Sequence, residues 1–232
     1  MSLPREWTEV PESDYIFHLA AYGNRYEQQD EQEIFDSNII LLWRLLQATK
    51  DMKYSAFINF SSSSTLLDYE TFYSATKAAG ERICRAFVNK YNKPIVSVRP
   101  YSVYGGGDWE GHFIPTAIKA FKEDLELNVA PGEHDWIHVS DLVAGVMKVT
   151  EASNKLKGQC INIGTGFAQS NYAIISILQD IFLKHGNVKR IGQIREYDTK
   201  RWQADNSVLL GLGWEPKIEL EDGLEALVYD TK

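Results

Sequence analysis

Hydrophobic positions along the chain cluster into short apolar runs separated by longer stretches with helical periodicity. Tyr15–Ala21 (YIFHLAA), Ala56–Phe60 (AFINF), Ile95–Arg99 (IVSVR) and Gln159–Ile163 (QCINI) are each bounded by polar residues, the pattern of strands buried in a parallel sheet. Between the first two, Glu33 to Lys50 places Ile34, Phe35, Asn38, Leu41, Leu42, Leu45 and Leu46 at helical spacing, enough to cover one face of a sheet. A second helix is predicted over about Tyr73–Asn89. The polar run Ser61 to Ser64 marks a strand giving way to a loop, and Pro94 breaks the chain before the third strand. That strand ends at Pro100 and runs into Gly105-Gly106-Gly107, and the fourth is closed by Gly164-Thr165-Gly166. Strands separated by helices imply an α/β fold with parallel strands and right-handed crossovers. Further helices in 110–154 and after Phe167 read as a smaller lobe placed over the strand ends.

Composition narrows the partners. The formal charge of −8, from 32 acids and 24 bases without a long run of either sign, offers no footprint for nucleic acid or an anionic membrane. Cys84 and Cys160 sit inside apolar segments without metal-like or paired spacing, so no metal site is expected and a reduced, cytoplasmic setting follows. No stretch approaches the ~18 to 20 apolar residues of a membrane span, and Met1 to Glu12 have no basic or apolar leader pattern.

The chemistry centres on Tyr73-Ser74-Ala75-Thr76-Lys77, a Tyr and a Lys four positions apart at the start of a helix, downstream of a serine-rich strand end. Positions i and i+4 share a helix face. The Lys77 ammonium can then lie near the Tyr73 phenol and lower its pKa from about 10, so that the phenol exchanges a proton with an alcohol at neutral pH. Taken alone, the spacing is equally compatible with two exposed residues on a helix face.

Several other segments, in order along the chain, make the sequence similar to the extended short-chain dehydrogenase/reductase family of nucleotide-sugar epimerases and dehydratases. Phe17-His18-Leu19-Ala20-Ala21 resembles the family's strand ending in HLAA, and Asn38 falls where the family has an Asn in the next helix. Phe60-Ser61-Ser62-Ser63-Ser64-Thr65 resembles its serine strand end, and Arg99-Pro100-Tyr101-Ser102-Val103-Tyr104-Gly105 its RP-x-N-x-YG segment. Trp136-Ile137-His138-Val139-Ser140-Asp141-Leu142 is similar to FIHV-x-DL, and Asn162-Ile163-Gly164-Thr165-Gly166 to NIGTG. Arg195-Glu196-Tyr197-Asp198, Ala204-Asp205 and Leu212-Gly213-Trp214-Glu215-Pro216 resemble the closing R-x-G-D, AD and LGW-x-P elements.

The resemblance implies a partial Rossmann-type parallel sheet with flanking helices over 1–105 plus 135–166, and a substrate-binding lobe over 106–134 plus 167–232. It implies an NAD(P)-dependent site in which Tyr73 is the acid/base, Lys77 binds the nicotinamide ribose and tunes Tyr73, and Ser63 holds the reacting oxygen. Leu19, Ala20, Ala21 and Pro100 would border the cofactor beside Tyr73 and Lys77. A nucleotide-sugar substrate would be met by Ser102, His134, Arg195 and Asp198, with Arg195 on the pyrophosphate and Asp198 on the nucleoside ribose.

The sequence departs from the family in several places. The family's opening strand, G-x-x-G-x-x-G turn and acidic residue have no counterpart here, so weak or absent dinucleotide binding and an impaired enzyme are expected. The strand edge left unpaired predicts a homo-oligomer, through that edge or the Tyr73–Asn89 helix. Ser63 and Tyr73 are ten positions apart where the family has about twenty, His134 stands in place of an Arg, and Ser102 in place of an Asn. The T-D-E triplet of sugar dehydratases is absent after Ser63, which favours an epimerase or an NDP-4-keto-sugar reductase. A non-catalytic sugar-nucleotide-binding remnant and a fragment of a longer gene are the rival readings. His18 reads as a core histidine, His138 as a packing residue and Gly105–Gly107 as an ordinary turn. Arg195 and Asp198 are also compatible with a surface ion pair.

Overall fold

The computed structural model describes residues 10–192 and 201–230. Along the chain run β1 (Tyr15–His18), α1 (Glu31–Phe35), a π-turn (Asp36–Ile40), α2 (Leu41–Thr49), β2 (Ala56–Phe60), a 3-10 turn (Ser63–Leu66), α3 (Phe72–Tyr91) and β3 (Ile95–Pro100). Then come β4 (Ser102–Tyr104), α4 (Phe113–Glu123), β5 (Glu126–Val129), β6 (Glu133–His138), α5 (Val139–Glu151), α6 (Ser153–Leu156) and β7 (Cys160–Ile163). The last elements are β8 (Ala168–Ser170), α7 (Asn171–Phe182), β9 (Asn187–Arg190), β10 (Arg201–Trp202), α8 (Ser207–Gly211) and α9 (Leu220–Tyr229). The chain divides into two compact units, 1–100 with 146–162 and 101–145 with 163–232.

The first unit is built on the sheet predicted from the apolar runs, in the order β1-β2-β3-β7, with β1–β2 and β2–β3 parallel. The central strands β2 and β3 are buried over their first four residues, as a sheet covered on both faces requires. The first strand departs from expectation. It stops at His18, and Tyr15 and Phe17 remain exposed because β1 is an edge, with a neighbour on one side only among the described residues.

Leu42, Leu45 and Leu46 of α2 and Cys84, Phe87 and Val88 of α3 pack on Phe57 and Ile95 of the sheet. The predicted Glu33–Lys50 helix is interrupted by the π-turn. That turn widens the helix locally and puts Asn38 inside, where its amide donates to Thr76 Oγ1 on α3 at 3.0 Å and to the Tyr22 carbonyl at 2.9 Å. Gly80 lets the two helices approach: a Cβ there would stand 3.1 Å from Leu42 Cδ2.

The second unit has β6 at the centre of a small sheet, parallel to β4 and β10 and antiparallel to β8, while β5 and β9 form a separate parallel pair. Its core gathers Tyr104 with Ile114, Ala117 and Phe121 of α4, Ile174 and Leu178 of α7, and Leu220 and Leu224 of α9. Asp135 is fully buried and accepts from Thr165 N and Oγ1, Gly166 N and Ala204 N, so one carboxylate joins three stretches of chain. No helix among the described residues is long and apolar enough to cross a membrane.

Candidate active site

The helix carrying Tyr73 and Lys77 starts where its sequence can cap it. Thr71 accepts from Ser74 N, and the Ser74 hydroxyl accepts from Thr71 N, a reciprocal capping box that fixes Tyr73 in the first turn of α3. Lys77 follows one turn later and is 7% exposed. Its ammonium donates to the Phe60 carbonyl at 2.7 Å and lies 5.8 Å from the centroid of the Tyr73 ring. The 3-10 turn begins at Ser63, buried at 3% exposure, and is capped by the Ser62 hydroxyl, which accepts from Ser64 N at 3.1 Å. The Ser62 side chain pulls the Tyr73 phenol toward its ionised form. Tyr73, Lys77 and the serine turn are thus brought together within the first unit.

The electrostatics differ from the sequence expectation. Burial dominates at Tyr73 and pushes its phenol up, with Ser62 opposing. A phenol acidified by Lys77 is therefore not what this structure holds. Burial also pushes the Lys77 ammonium down to about 8, against the pull of the Glu81 carboxylate. His18 is pushed down to about 4, first by burial and then by the charge of Lys77, so it is a neutral core histidine at physiological pH.

Sequence reasoning passed over the acid two turns beyond Tyr73. Glu81 is 6% exposed, bonded by Ser61 Oγ at 2.6 Å and forked by Arg99, Nε to Oε1 at 2.7 Å and Nη2 to Oε2 at 2.6 Å. Burial alone would raise its carboxyl, but Arg99 and Ser61 hold it below the ordinary carboxylate range. The available signal was an acid at i+4 from Lys77, on the helix face that carries Tyr73 and Lys77.

Leu19, Ala20 and Ala21 are exposed just past the carboxyl end of β1, and Pro100 is half-buried at the end of β3. Open strand ends of this kind are where α/β sheets receive ligands. An ammonium has three donors, and the Phe60 carbonyl takes one of them at Lys77. Ser102 and His134 lie in the second unit: Ser102 pairs with Trp136 of β6, and His134 stands between the rings of Trp136 and Trp202, with centroids 5.3 and 5.9 Å away. Arg195 and Asp198 lie outside the described residues. No group of three or more metal-binding side chains occurs among the described residues.

Known proteins bear on this geometry. The sequence model of the "NAD dependent epimerase/dehydratase family" matches residues 3–164. An uncharacterized UDP-glucose epimerase of Bacillus subtilis, YtcB, is 26% identical over 233 residues, covering 91% of this chain and 72% of that protein. CDP-abequose synthase of Salmonella typhimurium is 27% identical over 225 residues, covering 92% and 75%. Among solved structures, UDP-glucuronic acid 4-epimerase from Bacillus cereus, in complex with UDP-glucuronic acid and NAD, superposes with a TM-score of 0.84 at 29% identity, covering 93% of this chain and 74% of that one. With a match over more than half its length, the chain belongs to the NAD-dependent epimerase/dehydratase family, the extended short-chain dehydrogenases.

Proposed function

We propose that this chain is an NAD(P)-dependent nucleotide-sugar epimerase working through Tyr73, Lys77 and the serine turn. The observation that carries the reading is Tyr73, its ring 5.8 Å from the buried Lys77 ammonium one helical turn along, at the carboxyl ends of parallel strands. Tyr73 takes the proton of a sugar hydroxyl as its carbon gives up hydride, and returns it to the resulting ketone after the sugar has turned its other face. A bound oxidised nicotinamide supplies the hydride acceptor and a positive charge beside the phenol. Lys77 holds the ribose, and the charge it carries stabilises the phenolate. Ser63 is assigned to the reacting oxygen.

One observation favours a second reading. Burial keeps the Tyr73 phenol protonated at neutral pH, the form that donates a proton to a ketone, and this suits an NDP-4-keto-sugar reductase. Calorimetric titration with NAD, NADP, UDP-glucuronate, UDP-glucose and a CDP-sugar separates the cases. Binding of both dinucleotide and sugar nucleotide supports either enzyme, sugar nucleotide without dinucleotide selects a non-catalytic binding module, and no binding of either overturns the reading.

Self-association is part of the proposal, because β1 ends the described sheet with Tyr15 and Phe17 exposed. Light scattering tests it, and a monomer at every concentration contradicts it.

A further inference from the structure

The second unit carries a cavity of its own, between α7 and β9. Its volume is about 260 Å³, and it is lined by Tyr172, Ile175, Ser176, Gln179, Val188 and Arg190. The four residues from α7 recur at i, i+3, i+4 and i+7, one face of a helix, and the two from β9 are two apart, so they leave the strand on the same side. Ile175 is 5% exposed and belongs to the core of the unit, and Val188 packs against that core, so the floor is apolar and fixed. The Gln179 amide donates to the His185 carbonyl at 2.8 Å and ties the helix to the turn that leads into β9.

The charge in this cavity has one sign. The Arg190 guanidinium lies 4.6 Å from the centre of the Tyr172 ring, and among the described residues no carboxylate pairs with it. The chain has 32 acids against 24 bases, yet no acid lines the cavity. Tyr172 is in the first turn of α7, and the amino end of a helix adds a partial positive charge. A guanidinium held over a ring still has its five N–H donors, in a fork that matches a carboxylate or phosphate.

We propose that this cavity is a second binding site, for a small organic anion whose carboxylate or phosphate meets Arg190 and whose apolar body lies on Ile175, Val188 and the Tyr172 ring. Its volume falls just under the ~300 to 1,000 Å³ usual for small-molecule pockets, which suits a ligand of about ten non-hydrogen atoms rather than a sugar nucleotide. The rival account is a surface cation–π contact that only fastens β9 to α7.

Nuclear magnetic resonance on ¹⁵N-labelled protein, following backbone amides and arginine Nε–H groups, separates the two. The probes are phenylacetate, phenyl phosphate, phenylacetamide as a neutral counterpart, and inorganic phosphate as a bare anion. Saturable shifts at Tyr172, Ser176, Val188 and Arg190 are expected with at least one aromatic anion, at a Kd of about 1 mM or below, and the tighter of the two names the acidic group. Arg190→Gln is expected to weaken binding at least about tenfold. Ser176→Trp, which fills the cavity from an exposed helix position and keeps the guanidinium, is expected to do the same. Binding that survives both substitutions overturns the proposal. So does phenylacetamide binding as tightly as phenylacetate, or inorganic phosphate giving the same shifts at the same concentrations. Failure of both aromatic anions to saturate below about 10 mM overturns it as well. The measurement uses neither dinucleotide nor sugar nucleotide, so its outcome is independent of the epimerase reading.

Discussion

Asn38 donates from its side-chain amide to Thr76 Oγ1 at 3.0 Å, joining the π-turn to the turn of α3 that lies between Tyr73 and Lys77. The same side chain brackets Tyr22, accepting from its N–H at 3.0 Å and donating to its carbonyl. Replacing Asn38 with Leu leaves these groups without partners. A loss of about 1 to 3 kcal/mol is expected in urea denaturation.

The Glu81–Arg99 fork is mostly out of water, with side-chain exposures of 6% and 18%. Breaking it from one side strands a charge. Arg99→Met is expected to cost about 3 to 5 kcal/mol, far more than a surface ion pair. Thermal unfolding of the single variant beside Glu81→Gln/Arg99→Gln checks this, because the double variant leaves no stranded charge and recovers part of the loss.

His18 gives a pH dependence with a definite sign. Its folded pKa of about 4 lies below the unfolded value of 6.5, so the unfolded chain binds more protons between the two. Stability from keeping it neutral is complete above about pH 6.5 and is lost as pH falls toward 4, on the order of 3 kcal/mol in all. Denaturation midpoints across pH 4 to 7 should flatten in His18→Gln.

Gly223 in the first turn of α9 faces the Tyr104 hydroxyl, and a Cβ at that position would run into it. Ala is ordinarily the better helix former by about 1 kcal/mol. Here the sign inverts: Gly223→Ala is expected to lower the melting temperature, and Tyr104→Phe in the same chain to relieve part of the loss.

The central strands β2 and β3 were legible because buried parallel strands write themselves as unbroken apolar runs, whereas the edge position of β1 leaves no mark in its run. The interruption of the first helix was not legible either. A π-turn adds one residue to one turn and leaves the leucine spacing around it intact, so only the buried Asn38 betrays it. Short strands such as β6, with His134, Asp135 and Trp136, carry no strand-like run. Asp135 is buried because donors 30 to 69 positions away converge on it, a fact no local window contains.

In the site, the four-residue spacing located Tyr73 and Lys77, since helix geometry alone fixes their face. Sequence could not tell that burial would dominate at Tyr73 and push its phenol up. That depends on the water the fold excludes.

The most direct test follows a sugar nucleotide by proton magnetic resonance. A panel of nucleotide sugars is incubated with NAD and the wild-type chain, and in parallel with Tyr73→Phe. A growing anomeric signal of an epimer is predicted for at least one of them in the first sample, and a rate lower by at least about 100-fold in the second. Equal turnover by the two proteins would contradict it.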